Sequence, residues 1–212
     1  MTQTAAPAPQ SAAPRRFTLR YPDSWWKLDL DPRTRDAAIR RAVDDQIKGL
    51  QADRARVEAA VRDARKVARD AHARGALQTA GMIVFTDSGE SLVANALVMR
   101  VSPPPGHSSD LQELMLPVAL ENAKNPLGKG TSAHRAEIIE VPELGAVGRV
   151  TQIQDIDYHD RGTVRTALMH TMVPVPHSRD LLCVSCSTPN LSLVDAFFDV
   201  FDAISSTLRF QP

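Results

Sequence analysis

The sequence predicts an α+β fold: an antiparallel sheet of about six to seven strands covered by helices, with an extended helical insertion after the first two strands. Three observations predict it. Residues 134–182 hold consecutive apolar runs separated by short turns, the pattern of an antiparallel meander. Residues 33–74 keep apolar positions three and four apart, the period of a helix. The chain closes with a strand, a turn and a one-sided helix over Leu181–Phe210. In that helix Val194, Phe197, Phe198, Phe201, Ile204 and Leu208 share one face, while Asp195, Asp199, Asp202 and Ser206 lie elsewhere. Fully burying such side chains contributes about 1.5–3 kcal/mol each, and a sheet is the natural cover.

Composition bounds the function classes. A chain of 212 residues can hold one large domain or two small ones. We read an Ala/Pro-rich disordered leader over 1–15 and a single domain over 16–212. The contents of 43% hydrophobic and 24% charged residues are those of a globular protein. Lys+Arg and Asp+Glu balance at 25 each, so no global charge draws the chain to nucleic acid or to an anionic membrane. No run approaches the ~18–20 apolar residues of a membrane helix, and residues 1–14 lack the basic start and apolar centre of a signal peptide. The expectation is a cytoplasmic protein without membrane insertion.

The elements follow in order. Phe17 to Tyr21 alternates apolar and polar, so it is a strand. Pro22-Asp23-Ser24 turns it into a second short strand, Trp25 to Leu30, in which Trp26, Leu28 and Leu30 share one parity and Trp25 takes the other. Asp31 can cap a helix that starts with Pro32. A single rod over 33–74 would be about 60 Å long, against a radius of gyration near ~17 Å for a domain of this size. Gly49 is a natural break and Asp53 a second cap, so two helices, 33–48 and 53–74, are preferred. Met82–Thr86 and Ser91–Val101 are strands joined by a turn at Asp87–Glu90. Ser109 and Gln112 are placed for a capping box before a helix with Leu111, Leu114, Met115 and Val118 inward, which Pro117 can kink. Strands follow at 134–141, 147–156 and 163–173, the last with Val164, Thr166, Leu168, His170 and Met172 on one face.

Candidate functional residues are few. Cys183 and Cys186 sit three apart on a strand, where side chains point to opposite faces, so small core thiols are expected. No second cysteine pair completes a zinc site. Gly128-Lys129-Gly130-Thr131 departs from the phosphate-loop pattern, because Gly130 separates the lysine from the threonine. Among the six histidines no pair has the spacing of a helical zinc site. His159 lies with Asp157 and Asp160 on a turn, and His159 with His170 is the pair that could line a pocket between sheet and helices. No catalytic motif is present, no metal ligand set is assigned and no cofactor is expected. Residues 32–74 carry 12 Lys/Arg against seven Asp/Glu, which reads as a solvated face or as a docking surface for an acidic partner. Trp25, Arg54, Arg62 and Arg65 are the candidate partner-binding residues.

The two ends carry a resemblance. Phe17-Thr-Leu-Arg-Tyr-Pro-Asp-Ser-Trp25 is similar to the opening of PsbP-like proteins. The close is similar too: a strand with Cys183 and Cys186, then Thr188-Pro189, a helix with Phe197, Phe198, Phe201 and Ile204, and Ser206-Thr-Leu-Arg-Phe210. That superfamily includes Ran-binding Mog-type, DcrB-like and LpqN-like proteins. The resemblance implies an α/β/α sandwich and a mostly non-catalytic role in binding other proteins, in some relatives as adaptors or chaperones for secreted effectors. The expectation is therefore a non-enzymatic protein-binding module, with another protein or a second copy in a homodimer as partner and no nucleic acid. The alternative is a small-ligand protein or enzyme with a pocket near His159 and His170.

Overall fold

The computed structural model describes residues 14, 16–46, 54–85, 91–104, 106, 110–116, 131–158 and 162–211. Nine strands are described: β1 Arg16–Thr18, β2 Trp26–Leu28, β3 Ala76–Phe85, β4 Ser91–Val101, β5 Thr131–Val141, β6 Gly145–Tyr158, β7 Gly162–Pro174, β8 Leu181–Thr188 and β9 Arg209–Gln211. The helices are α1 Arg35–Gln46, α2 Arg54–Ala73, α3 over 111–116 and α4 Val194–Ser206. Seven strands form one antiparallel sheet in the order β2-β3-β4-β8-β7-β6-β5. β1 and β9 form a separate two-stranded ribbon that pairs Phe17 with Phe210. The expected antiparallel sheet covered by helices is thus present.

Strand register separates the two faces of the sheet. Ala80, Ala96, Cys186, Met169, Thr151 and Arg135 form one row across six strands, which defines face A. Thr79, Leu97, Ser185, His170, Val150 and Ala136 form the neighbouring row on face B. α4 covers face A, where Phe197, Phe201 and Ile204 join Ala96, Val98, Val184, Cys186 and Met169 in the main core. On face B, Ile39 of α1 and Ala64 and Ala68 of α2 pack with Trp26 and Leu28 at one margin. α3 packs at the other margin, over β6. A Cβ added to Gly148 would stand 2.9 Å from Met115 Sδ and 3.2 Å from Leu111 Cδ2, so the missing side chain is what lets α3 sit this close.

The insertion is a pair of helices, as the length argument requires. Val43 of α1 packs with Val57 and Val61 of α2, and Arg40 donates to Glu58 Oε1 at 2.7 Å between them. The expected break at Gly49 and cap at Asp53 lie outside the described residues, as do the turn at 87–90, Pro117, Ser109, Gly128 to Gly130 and the leader apart from Pro14. The described cap of α3 is Asp110, whose Oδ1 accepts from the Gln112 N–H at 2.7 Å. Several strands are longer than their apolar runs: β3 begins at Ala76, because pairing with β4 carries the backbone beyond the run 82–86. The three residues of β9 have no readable period in the sequence; the strand forms because β1 is there to pair with it.

Candidate functional site

The two faces of the sheet are buried unequally. On face A, the central residues Ala94, Ala96, Val98, Met169, Val173, Leu182, Val184 and Cys186 are none of them more than 3% exposed. On face B, Leu97, Met99, Cys183, Ser185, His170 and Met172 are half-buried, and Asn95 and Val101 are exposed. Leu168, Ser187 and Leu181 on this face are buried. The contrast follows from the helices. α4 lies across the middle of face A, whereas α1 and α2 reach the β2 margin of face B and α3 reaches β6; among the described residues these helices leave β4, β8 and β7 between them. Adjacent strands are ~4.8 Å apart, so these three span about 10 Å.

The floor of this strip is mixed. Leu97, Met99 and Met172 are apolar, and the thioethers are flexible enough to adapt to a partner. The polar side chains are organised: Ser187 Oγ donates to Asn95 Oδ1 at 2.9 Å, and Gln152 Nε2 lies 3.4 Å from His170 Nε2. Burial pushes the His170 pKa below the ordinary histidine value, which favours the neutral ring. Burial also raises the thiol pKa values, Cys183 to about 11 and Cys186 to about 12, so both stay protonated and weakly nucleophilic at neutral pH. Cys183 faces Met172 on face B and Cys186 faces Met169 on face A, so the two sulfurs lie on opposite sides of the sheet, as their spacing predicts. Exposed apolar side chains stand on the surrounding elements: Val67 on α2, Val101 on β4, Leu116 on α3 and Ile138 on β5.

The expected site residues are scattered. Trp25 is a core residue: it is 8% exposed, stacks on Tyr21 at 5.9 Å and meets Phe201 edge to face at 6.4 Å. Its expected place in a partner surface is therefore corrected, because the side chain is spent on the α4 side of the sheet. Arg54 and Arg62 are exposed on α2. Arg65 is half-buried and donates through Nη2 to the Asp36 carbonyl at 2.9 Å, which ties α2 to α1. His170 lies in the middle of face B, and His159 lies outside the described residues. Leu97, Met99, Asn95 and Gln152 carry no signal of their own in the sequence; only the register of β4 and β6 against β7 and β8 places them on the same face as His170. A shallow open depression lined by Arg16, Phe17, Arg100, Val175, Leu182 and Phe210 lies elsewhere, where the two-stranded ribbon meets the sheet. Among the described residues no group of three His, Cys, Asp or Glu side chains is placed to hold a metal ion, and no helix is long and apolar enough to cross a membrane.

No protein-family model matches the chain, and no curated protein matches it. Among solved structures it is similar to LpqN of Mycobacterium tuberculosis, a protein involved in cell envelope biogenesis. The TM-score is 0.45 at 10% identity, covering 92% of this chain and 83% of that one. A likeness at that level carries no argument about activity.

Proposed function

We propose that this protein is a non-enzymatic, cytoplasmic protein-binding module, an adaptor or secretion-linked chaperone of the PsbP-like kind, that receives its partner on face B. The observation that carries the reading is the unequal burial of one sheet: face A is sealed by α4, while the centre of face B keeps Leu97, Met99 and Met172 half-buried and Val101 exposed between two helical margins. Apolar side chains left partly open to solvent in this way, rimmed by polar residues, are where partners bind. Desolvating it against a partner's apolar element would supply the affinity, and Asn95, Ser185 and His170 would set its orientation. The sequence motifs at the two ends add the family expectation of a binding role.

The test is capture of the native partner by the wild-type chain and by Leu97→Glu and Met172→Glu variants. A stoichiometric protein held by the wild type and lost from both folded variants supports the reading. A partner held equally by all three removes face B from it. A second reading is favoured by the His170–Gln152 pair in the middle of this face: a small polar ligand held there. Stabilisation of the wild type by such a ligand, absent in a His170→Ala variant, would favour that reading over the first.

A further inference from the structure

Strand register gathers sulfur into one row of face B. Met99 of β4 and Met172 of β7 both lie directly opposite Cys183 of β8, one on each side of it. Directly opposed side chains of an antiparallel pair share a face, with Cβ atoms about 4.5–5.5 Å apart. All three residues are half-buried, and Cys183 is a free thiol. The row continues on β6 at Gly148, opposite Met172, where a Cβ would stand 2.9 Å from Met115 Sδ of α3. Three of the six methionines and one of the two cysteines therefore stand together, a concentration of sulfur and not of apolar character in general. Cys186 lies on the other face, so it is no disulfide partner for Cys183. The adjoining rows are Leu97, Ser185 and His170 on one side and Val101, Leu181 and Pro174 on the other; neither contains Asp, Glu, Lys or Arg.

We infer that Met99, Cys183 and Met172 form a binding site for a soft monovalent metal ion, Cu(I). Thiolate and thioether sulfur are the ligands that favour Cu(I) over harder ions. The rotatable bonds of each methionine let its Sδ swing toward Cys183 Sγ, so sulfurs from three adjacent strands can meet at one point. Charge decides against a divalent ion. On binding, the Cys183 S–H gives its proton to solvent as the Cu–S bond forms, and one thiolate cancels the single charge of Cu(I). No oxidation state changes. Zn²⁺ on the same ligands would leave a net positive charge in a half-buried site with no carboxylate in the adjoining rows. His170 stays outside the ligand set, because its Nε2 already faces Gln152 Nε2 at 3.4 Å. Val101, exposed in the adjoining row, marks the open side by which the ion enters. The inference does not rest on the protein-partner reading of face B, which uses Leu97, Met99 and Met172 and gives Cys183 no role.

The test is anaerobic titration of the purified chain with Cu(I) in competition with bicinchoninate, whose copper complex is coloured. The wild type is expected to withhold one ion per chain from the chelator. Cys183→Ser should lose that ion. Met99→Leu and Met172→Leu, which nearly conserve volume, should each give up most of it at the same chelator concentration. Cys186→Ala, on face A, should withhold as much as the wild type. All variants are compared as folded chains, judged by thermal unfolding before copper is added. X-ray absorption at the copper edge of the loaded wild type should show a first shell of sulfur. A wild type that withholds no copper overturns the inference. So does retention unchanged in both leucine variants, which would reduce the site to a lone thiol, or retention that depends on Cys186 and not on Cys183. Only the chain and the ion are present, so failure here leaves the protein-partner reading standing, and loss of that reading leaves this result unchanged.

Discussion

Phe201 is fully buried at the meeting point of three other rings. Trp25 meets it edge to face, and Phe197 and Phe198 tilt against it at 5.9 and 6.3 Å. Phe201→Ala should cost about 3–5 kcal/mol, the transfer term plus the cavity, as read by denaturant unfolding. Arg149 is a different case. It is 9% exposed, it pairs with Asp202, and its Nε has no partner among the described residues. Asp202→Ala should leave a buried guanidinium unpaired and cost about 1.5–3 kcal/mol; Arg149→Met in the same chain should recover part of that loss in a double-mutant cycle. His170 gives a pH dependence. Its pKa is lowered by burial, so below the ordinary value of 6.5 the unfolded chain binds the proton that the folded chain refuses. Its contribution to stability is fully present above pH 6.5 and is lost as pH falls below it, and His170→Gln should flatten that acid limb in pH-resolved thermal unfolding. At this scale the sequence was a partial guide. The parity that separates Trp25 from Trp26 was readable, because strand alternation is local. Which of the two would be covered by α4 was not, because that depends on which face of β2 the last helix reaches.

At the scale of elements, periodicity was the readable quantity. The stripe of Phe197, Phe201 and Ile204 gave α4, with Asp195 in a first turn where it complements the helix dipole. The residue before that helix supplies no side-chain cap; instead Asn190 fixes the turn, its Oδ1 accepting from the Val93 N–H at 2.8 Å and its Nδ2 donating to the Ser91 carbonyl at 2.9 Å. Those bonds cross 97 and 99 residues of sequence, which no local pattern announces. α3 depends on an absence that is just as silent: Gly148 reads as an ordinary strand glycine until Met115 is found against it. Gly148→Val should push α3 off β6, at a cost of about 1–3 kcal/mol for overpacking. Hydrogen exchange over 111–116 should then speed up while β8 stays protected. Unchanged exchange in α3 would show that Met115 can move aside without disturbing the helix.

At the scale of the molecule, the order of strands joins distant parts of the chain. β8 sits between β4 and β7, and β1 pairs with β9, so the two ends close on each other through Phe17 and Phe210 and through the Arg20 N–H donating to Thr207 Oγ1 at 2.9 Å. The meander β5-β6-β7-β8 was legible from turn spacing. The insertion of β8 beside β4 was not, because both strands are apolar enough to take any central position. That placement decides the candidate site, since it is what brings Leu97 and Met99 of β4 level with Ser185 and Cys183 of β8 and with His170 and Met172 of β7. Histidine and methionine on one strand were visible in the sequence; a half-buried strip that no helix among the described residues packs over was not, because it depends on which strands α1, α2 and α3 pack against.

The central claim is that face B, and not face A or the outer surface of α4, receives the partner. Its most direct test is site-specific photo-crosslinking in living cells, with benzoylphenylalanine at Met172 on face B and, as the control, at Asp199 on the outer surface of α4. The account predicts one stoichiometric adduct with a different protein from Met172, absent when Leu97→Glu is added, and no such adduct from Asp199. The same adduct from Asp199 with none from Met172 would contradict it, and would move the binding surface to the other side of the molecule.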